Sequence, residues 1–391
     1  MSLLRDGHNH ELGSSEGSIH RMRICVIADA NSIHTARWVD PIIEGGHEVF
    51  LVSFTRVERP PTATQIVDLT THFNLPKLRL LGWGLWLRCY LHRLRPDILH
   101  GHHLAGAIIG GLSSFRPFVI STWGSEVLVE PNSSAPRKAL VRWALMRGAR
   151  VTVPSHLMAQ NAELLGVPQA KLVEIPWGIE TEIFQPTPDD RAETRNRLGL
   201  LLDAPVVLCP RGIASVYNHD IALTAVERLR HVVRDLRVVL LRYNVEEHCL
   251  RQIQELVADF QLEGIIHWLD AQDGPESMAR LYRMADGVIS VPSSEGYGFT
   301  VYEAMACGCP TIISDLPIFT SQLIDGVHTI KVPVRDAIAL ANATQSVLTD
   351  ARLRQVLREN GQLLVRDMGT QHRVKQTLDL YHTLIQGAMH A

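Results

Sequence analysis

The sequence predicts an α/β protein with two domains, each built around a parallel sheet. A strand at 23–28, a helix at 36–44 and a strand at 48–53 form one strand–helix–strand unit, which implies parallel pairing. A new series of apolar strands begins near residue 205, after a segment interrupted by proline and glycine. The 391 residues are enough for two domains of ordinary size.

Two further strands of the first half end in polar segments. One runs to His100 and opens into a glycine-containing loop with His102, and the other, at 117–122, leads to Trp123 and Gly124. Alternate residues of an extended chain point to the same side, so His100 and His102 share one side. No further ligand for a metal is obvious near them, so we expect these segments to line a cleft.

The stretch 293–311 carries the strongest functional signal in the chain. Glu295 and Glu303 lie on either side of a turn that leads from a buried strand into a helix predicted over 300–307. Amides at a helix start are unpaired and lie at the positive end of the dipole, which favours a diphosphate. Glu303 could accept hydrogen bonds from ribose hydroxyls, and Glu295 from a second polyol. The alternative is a helix that merely carries two acidic residues.

This stretch resembles the retaining glycosyltransferases of family four, which have the GT-B fold. That family carries two glutamates with seven residues between them and a tail similar to 304–311. The segment 171–186 resembles the family's interdomain segment, which normally contains Ile-Pro-Asn-Gly-Val-Asp. The resemblance extends from about Met22 to about Gln386.

The resemblance implies two Rossmann-like parallel-sheet domains that face a central cleft, with the last helix crossing back to the first domain. The chain is expected to divide into a disordered extension at 1–21, an acceptor-binding domain at 22–184, a nucleotide-sugar-binding domain at 185–365 and the C-terminal helix at 366–391.

The resemblance also assigns roles to residues. The predicted catalytic residues are Glu295, which would hold the hydroxyls of the transferred sugar, and Arg211, which would offset the charge of the leaving diphosphate. Glu303 would bind the ribose of the donor. The other predicted donor-binding residues are Gly296, Tyr297, Gly298, Phe299, Thr300 and Arg242. The predicted acceptor and sugar cleft contains Asn31, His34, His100, His102, Trp123, Gly124 and Glu126.

Three positions depart from the family pattern. The loop after the first strand lacks the usual glycines, and His34 there could bind a phosphate or an acceptor or simply start a helix. Trp123 replaces a histidine that contacts the transferred sugar, although its indole N–H could still donate to a hydroxyl. Six residues after Arg211, Tyr217 replaces a phosphate-binding lysine. Arg242 could substitute for that lysine or be a surface charge.

Composition limits the class of protein and its location. Apolar residues at 46%, charged residues at 20% and a net charge of −3 indicate a globular protein without a nucleic-acid partner. The six cysteines show no zinc or disulfide pattern, so we expect a cytoplasmic protein. No apolar run is long enough to span a membrane, and residues 1–20 lack the apolar core of a secretory signal.

One basic aromatic segment suggests an additional partner. Lys77–Arg95 contains five cations, two tryptophans, one tyrosine and no acidic residue. Such a helix is typical of attachment to an anionic membrane surface, here the inner face of the plasma membrane. The alternative is a helix that covers the sheet while its arginines extend into solvent.

The resemblance implies sugar transfer from a UDP- or GDP-sugar to a glycan, lipid-linked or small-molecule acceptor, in polysaccharide or glycoconjugate biosynthesis. No cofactor or metal is expected, because the chain lacks the Asp-Xaa-Asp triplet with which the other common glycosyltransferase fold holds a metal. A catalytically impaired partner subunit and a GT-B sugar-nucleotide epimerase remain alternatives. A dehydrogenase is disfavoured, because no Gly-Xaa-Gly-Xaa-Xaa-Gly follows the first strand.

Overall fold

The computed structural model describes residues 21–58, 61–63, 65–72, 78–187 and 190–389. The predicted extension 1–21 lies outside these ranges apart from Arg21, so its disorder remains a prediction. The six cysteines all fall within the described ranges, and none forms a disulfide.

The described part of the first half forms a seven-stranded sheet in which every pair of neighbours is parallel. Its strands are β1 (Arg23–Ala28), β2 (Glu48–Ser53), β3 (Gln65–Asp68), β4 (Ile98–His102), β5 (Phe118–Ser121), β6 (Arg150–Val153) and β7 (Leu172–Glu174). Their spatial order is β3-β2-β1-β4-β5-β6-β7. The strands predicted at 23–28 and 48–53 have the bounds that the sequence indicated.

The helices of this half connect successive strands and cover both faces of the sheet. They are α1 (Ile33–Glu44), α2 (Arg79–Leu94), α3 (His103–Ser113), α4 (Ser125–Leu128), α5 (Glu130–Ser133), α6 (Ala135–Met146) and α7 (His156–Leu164). Helix α1 begins three residues before the predicted start at Ala36, because the Ser32 hydroxyl accepts a hydrogen bond from the His34 amide and caps the helix.

Within its described residues, the second half forms a six-stranded sheet, again entirely parallel. Its strands are β8 (Val206–Cys209), β9 (Arg237–Arg242), β10 (Ile266–Asp270), β11 (Gly287–Ser290), β12 (Thr311–Ser314) and β13 (Ile330–Val332), in the spatial order β10-β9-β8-β11-β12-β13. The predicted α/β architecture with two parallel-sheet domains is confirmed. The exact boundary near residue 184 remains a prediction.

The helices of the second half include the one that carries the two-glutamate motif. They are α8 (Asp190–Arg197), α9 (His219–Leu229), α10 (Glu247–Asp259), α11 (Gly274–Met284), α12 (Phe299–Ala306), α13 (Pro317–Thr320), α14 (Ala337–Thr349), α15 (Ala351–Val365) and α16 (Thr370–Met389). Short 3₁₀ turns lie at Leu69–Thr71, Gln169–Lys171 and Ser215–Tyr217.

Each sheet has one point at which the strand order reverses. These points lie between β1 and β4 in the first sheet and between β8 and β11 in the second. Loops that leave neighbouring strands in opposite directions open a crevice there, which is where open α/β sheets bind ligands. The loop after β11 meets the loop after β5, because a Cβ built on Gly124 would lie 3.2 Å from the Gly296 Cα. The two crevices therefore face each other.

The last helix returns to the first domain, as predicted. Tyr381 in α16 is fully buried, and its hydroxyl lies 2.5 Å from Nδ1 of His100 in β4. Val374 of the same helix belongs to an apolar cluster with Ile24 and Val39 of the first domain. This packing fixes the first sheet against the end of the chain.

Candidate active site

Helix α12 begins at the crevice because of a glycine. Gly298 caps it with φ +93°, a left-handed conformation, and a Cβ there would lie 2.6 Å from the Phe319 ring. No other residue type fits both conditions. The chain therefore turns sharply after β11, and the start of α12 lies at the carboxyl edge of the second sheet.

A cavity of about 390 Å³ lies between the two domains at this helix start. Side chains from both sheets line it, namely Ile33, His34, Arg37, Phe184, Pro210, Arg211, Tyr217, Leu241, Tyr243, Asn244, Ala271, Gln272, Met278, Tyr282, Glu295, Phe299, Thr300 and Glu303. Both predicted catalytic residues and Glu303 are among them. The described chain has a larger cavity beside α2, but that one contains none of the predicted site residues.

The two predicted catalytic residues form an ion pair inside the cavity. Nη1 of Arg211 lies 2.9 Å from Oε2 of Glu295 and donates to Oγ1 of Thr300 at 3.3 Å. The other Glu295 oxygen accepts the Gly296 amide at 3.0 Å. Burial opposes the charge of Arg211, but the Glu295 carboxylate raises its pKa above the ordinary value. A permanent cation therefore lies beside the start of α12, where it can offset negative charge.

Glu303 is 7% exposed and already has partners on both oxygens. Oε1 lies 2.7 Å from Nη2 of Arg37, a residue of α1 in the first domain. Oε2 accepts a hydrogen bond from the Tyr282 hydroxyl at 3.1 Å. Nη2 of Arg37 also lies 3.2 Å from Glu180, in the interdomain segment. The presumed ribose ligand is thus the centre of an ion-pair network that joins the two domains.

The position of the missing lysine is filled by an aromatic ring. The Arg211 guanidinium lies 4.3 Å from the centre of the Tyr217 ring, a cation–π contact. The proposed substitute, Arg242, is 41% exposed and pairs with Asp270 at 2.9 Å. Arg242 does not line the cavity, whereas its neighbour Leu241 does. A donor-binding role for Arg242 stays a prediction that this placement does not support.

Aromatic rings form one wall of the cleft. His34 stacks on Phe299 with ring centres 4.9 Å apart, and it contacts Trp123 and Trp177 at 5.5 and 5.4 Å. Burial, followed by Arg37, lowers the pKa of His34 to about 4, so its imidazole is neutral at pH 7. Nδ1 of His34 and Nε1 of Trp123 are buried without a partner among the described residues. These two atoms are therefore available to a ligand.

The two histidines of β4 differ from the prediction and from each other. His100 is saturated, because Nδ1 contacts the Tyr381 hydroxyl and Nε2 contacts the Ser121 hydroxyl at 2.7 Å. It holds the core together and has no nitrogen left for an acceptor. His102 is equally buried, but neither of its nitrogens has a partner in the described part of the chain. It lies behind Trp123, with ring centres 5.8 Å apart.

Other predicted site residues support loops. Both Glu126 oxygens accept backbone amides, from Trp123 at 2.5 Å and from Gly124 at 2.9 Å. The Asn31 amide donates to the Arg56 carbonyl at 2.7 Å. These side chains shape the loops, so a direct role in ligand binding remains a prediction.

Two residues before α12 also act through packing. The Tyr297 hydroxyl donates to the Trp177 carbonyl at 2.6 Å inside the interdomain core, so this side chain points away from a donor. A Cβ on Gly296 would lie 3.0 Å from the Trp123 carbonyl. The small size of Gly296 therefore serves the contact between the domains.

Sequence reasoning missed several lining residues. Arg37 and Tyr282 lie within ordinary amphipathic helices, and neither position carries a distinctive motif. Glu180 and Trp177 belong to the interdomain segment, where tryptophan replaces the usual asparagine of the family. That second aromatic departure, beside Trp123, was the one signal in the sequence for the aromatic wall.

One group of possible metal ligands occurs in the described ranges, away from the cavity. It consists of Glu246, His248 and Cys249 at the start of α10. The Glu246 carboxylate already accepts the Ser215 amide at 3.1 Å and the Cys249 thiol at 3.3 Å. These neighbours satisfy one another without an ion.

The outer surface of α2 combines leucines and arginines. Leu81 and Leu85 are exposed, the latter at 57%, and Arg88 and Arg93 are exposed farther along the helix. Of the basic aromatic segment, Lys77 lies outside the described residues. None of the helices in the described ranges is long and apolar enough to cross a bilayer.

Comparison with known families agrees with this architecture. Residues 23–155 match the family described as Glycosyl transferase 4-like, and residues 190–364 match Glycosyl transferases group 1. The D-inositol 3-phosphate glycosyltransferase of Xylanimonas cellulosilytica is 26% identical over 321 residues, which cover 75% of this chain and 74% of the relative. The GDP-mannose-dependent alpha-(1-6)-phosphatidylinositol monomannoside mannosyltransferase of Mycolicibacterium smegmatis is 28% identical over 257 residues, which cover 63% and 65%.

Solved structures share the fold at low sequence identity. HepE of Anabaena, crystallised with UDP, superposes with a TM-score of 0.78 at 16% identity, over 93% of this chain and 100% of that one. Sucrose-phosphate synthase of Thermosynechococcus elongatus gives a TM-score of 0.78 at 20% identity, over 94% and 100%. The protein is thus a glycosyltransferase with the GT-B fold. It belongs to the family-four-like group of these enzymes, and both sequence-based predictions are confirmed.

Proposed function

We propose that this glycosyltransferase moves a sugar from a nucleotide diphosphate to an acceptor hydroxyl, with retention of anomeric configuration and without a metal ion. The observation that carries the proposal is the interdomain cavity in which the Arg211–Glu295 pair lies beside the start of α12. A cation and helix amides in one place suit a leaving diphosphate.

Retention follows if the acceptor attacks on the side that the diphosphate leaves. The departing phosphate oxygen can then take the proton of the attacking hydroxyl, so no nucleophile from the protein is required. Glu295 would hold hydroxyls of the transferred sugar, and Arg211 would offset the charge of the phosphate. The aromatic wall and the closed domain interface would exclude water and limit hydrolysis of the donor.

Named relatives favour a UDP- or GDP-sugar as donor. HepE was crystallised with UDP, and the Mycolicibacterium relative is GDP-mannose-dependent. The printed names of two relatives contain an inositol phosphate or a phosphatidylinositol mannoside. We therefore propose a polyol or glycan acceptor, small or lipid-linked, in glycan or glycoconjugate biosynthesis.

The first experiment is a thermal-shift and turnover screen with UDP-, GDP-, ADP- and TDP-sugars. Glu303→Ala is the test variant, and Glu359→Ala, on the exposed side of α15, is the matched control. One nucleotide should stabilise the wild type and the control but not Glu303→Ala. NMR of the product with EDTA present should show the donor's anomeric configuration. Inversion or strict dependence on a metal would contradict the mechanism.

Two other outcomes point elsewhere. Stabilisation without turnover, even with lipid-linked acceptors, would indicate a nucleotide-sugar-binding partner subunit. No stabilisation by any nucleotide would overturn the donor site itself.

We also propose that α2 attaches the enzyme to an anionic bilayer surface. Exposed leucines can enter the interface while arginines pair with lipid phosphates. Leu81→Glu/Leu85→Glu should abolish sedimentation with phosphatidylglycerol vesicles. Leu363→Glu, an exposed leucine of α15, is the control and should leave it unchanged. Equal binding of all three proteins, or none by the wild type, would refute the attachment.

A further inference from the structure

The donor cavity contains more acidic than basic groups. Its ion pairs involve three carboxylates, those of Glu180, Glu295 and Glu303, but only two guanidiniums, those of Arg37 and Arg211. A diphosphate would bring further negative charge into this space. Arg211 alone, already paired with Glu295, is a weak counterweight, so a second cation must become available when the donor binds.

Arg37 occupies the place that a ribose would take. Its Nη2 lies 2.7 Å from Oε1 of Glu303, and the Tyr282 hydroxyl holds the other oxygen. Ribose hydroxyls can reach Glu303 only by taking over at least one of these hydrogen bonds. The exchange replaces an N–H donor with O–H donors, which leaves the carboxylate satisfied but Arg37 without its closest partner.

A released Arg37 would have little water around it. Its side chain is 9% exposed, and its Nε is already buried without a partner in the described ranges. A buried guanidinium needs an anion nearby. The guanidinium lies 4.8 Å from the ring centre of Phe299, the first residue of α12. A diphosphate at that helix start would therefore be its nearest new partner.

We propose that Arg37 is the second donor-binding cation of this enzyme. In the empty site it occupies Glu303, and when the ribose takes over Glu303 it pairs with the diphosphate. Arg37 thereby replaces, from the opposite domain, the lysine that is absent at Tyr217. The inference rests on the proposed donor site and adds a residue that no motif identifies.

Calorimetry with a graded set of ligands tests the exchange. The probes are UDP and GDP, with UMP, GMP, uridine and guanosine, added to the wild type, Arg37→Gln, Arg37→Lys and the control Arg352→Gln. Arg37→Gln should weaken diphosphate binding at least tenfold while nucleoside binding stays equal or becomes tighter, because Glu303 is free. Arg37→Lys should keep most of the preference for the diphosphate, and Arg352→Gln, on exposed α15, all of it.

The outcomes separate this inference from the proposed function. Diphosphate binding to Arg37→Gln that equals or exceeds that of the wild type would show that Arg37 only competes for Glu303, and would overturn the inference. An equal loss for diphosphate and nucleoside would reduce Arg37 to a structural role, with the same consequence. If the wild type binds no nucleotide, the proposed function fails as well. Should Arg37→Gln not fold, Arg37→Met serves instead.

Discussion

His102 should make the stability of this protein depend on pH. The side chain is 1% exposed, and burial lowers its pKa to about 3. In the unfolded chain a histidine has a pKa of about 6.5. As the pH falls from 6.5 to 3, the unfolded chain therefore takes up a proton that the folded protein refuses. The free energy of unfolding must decrease over this window.

The size of the effect follows from the two pKa values. At pH 5 the solution is about 1.5 units below the unfolded pKa, and each unit corresponds to about 1.4 kcal/mol, which gives a loss of about 2 kcal/mol. The neighbouring His100 adds to the loss, because burial and then His102 lower its pKa well below the ordinary value. The ring centres of the two histidines are 4.4 Å apart.

Urea unfolding at pH 7.5, 6 and 5 measures this dependence. His102→Phe fills a similar volume without a titrating group, so it should lose about 2 kcal/mol less than the wild type between pH 7.5 and 5. His231→Gln, at a side chain that is 66% exposed, should follow the wild type. If His102→Phe lost as much stability as the wild type, His102 would have to be protonated or solvated in the folded state.

Three further substitutions test other parts of the structure. Arg211→Ala leaves Glu295 unpaired and removes the phosphate counter-charge, so kcat should fall by about 10²–10³, and unchanged turnover would refute its role. Gly296→Val should clash with the backbone of the first domain and lower the free energy of unfolding by about 1–3 kcal/mol in urea. Tyr381→Phe removes the partner of His100 and should cost about 1–3 kcal/mol, whereas a loss below the error of the measurement would show that the contact is weak.

The sequence predicted the parts of the site that depend on local geometry. A buried strand, a glycine turn and a helix define one continuous unit, so the spacing of Glu295 and Glu303 placed both on the same cavity. Arg211 follows the neighbouring strand of the same sheet, and its pairing with Glu295 needs only parallel strand order. These predictions required no knowledge of how the two domains meet.

Contacts between distant segments could not be predicted in this way. Arg37 and Glu303 are 266 residues apart, and His100 and Tyr381 are 281 residues apart. Nothing in the periodicity of α1 distinguishes Arg37 from a surface arginine. His100 has the same sequence signal as His102, yet only His100 meets hydroxyls on both nitrogens, because α16 and β5 supply them.

The two tryptophans make one point that neither position shows alone. Trp123 and Trp177 each replace a polar residue of the family pattern, and their rings meet with centres 5.8 Å apart. Separately, each departure suggested a lost contact to the substrate. Together with Phe299 they enclose the neutral His34 ring, so the polar groups that remain are one indole N–H and one imidazole nitrogen. An aromatic face with a few fixed polar atoms suits the flat, partly apolar face of a sugar ring. The substitutions are therefore better explained as one coordinated change in how the cleft holds its sugar than as two losses of activity.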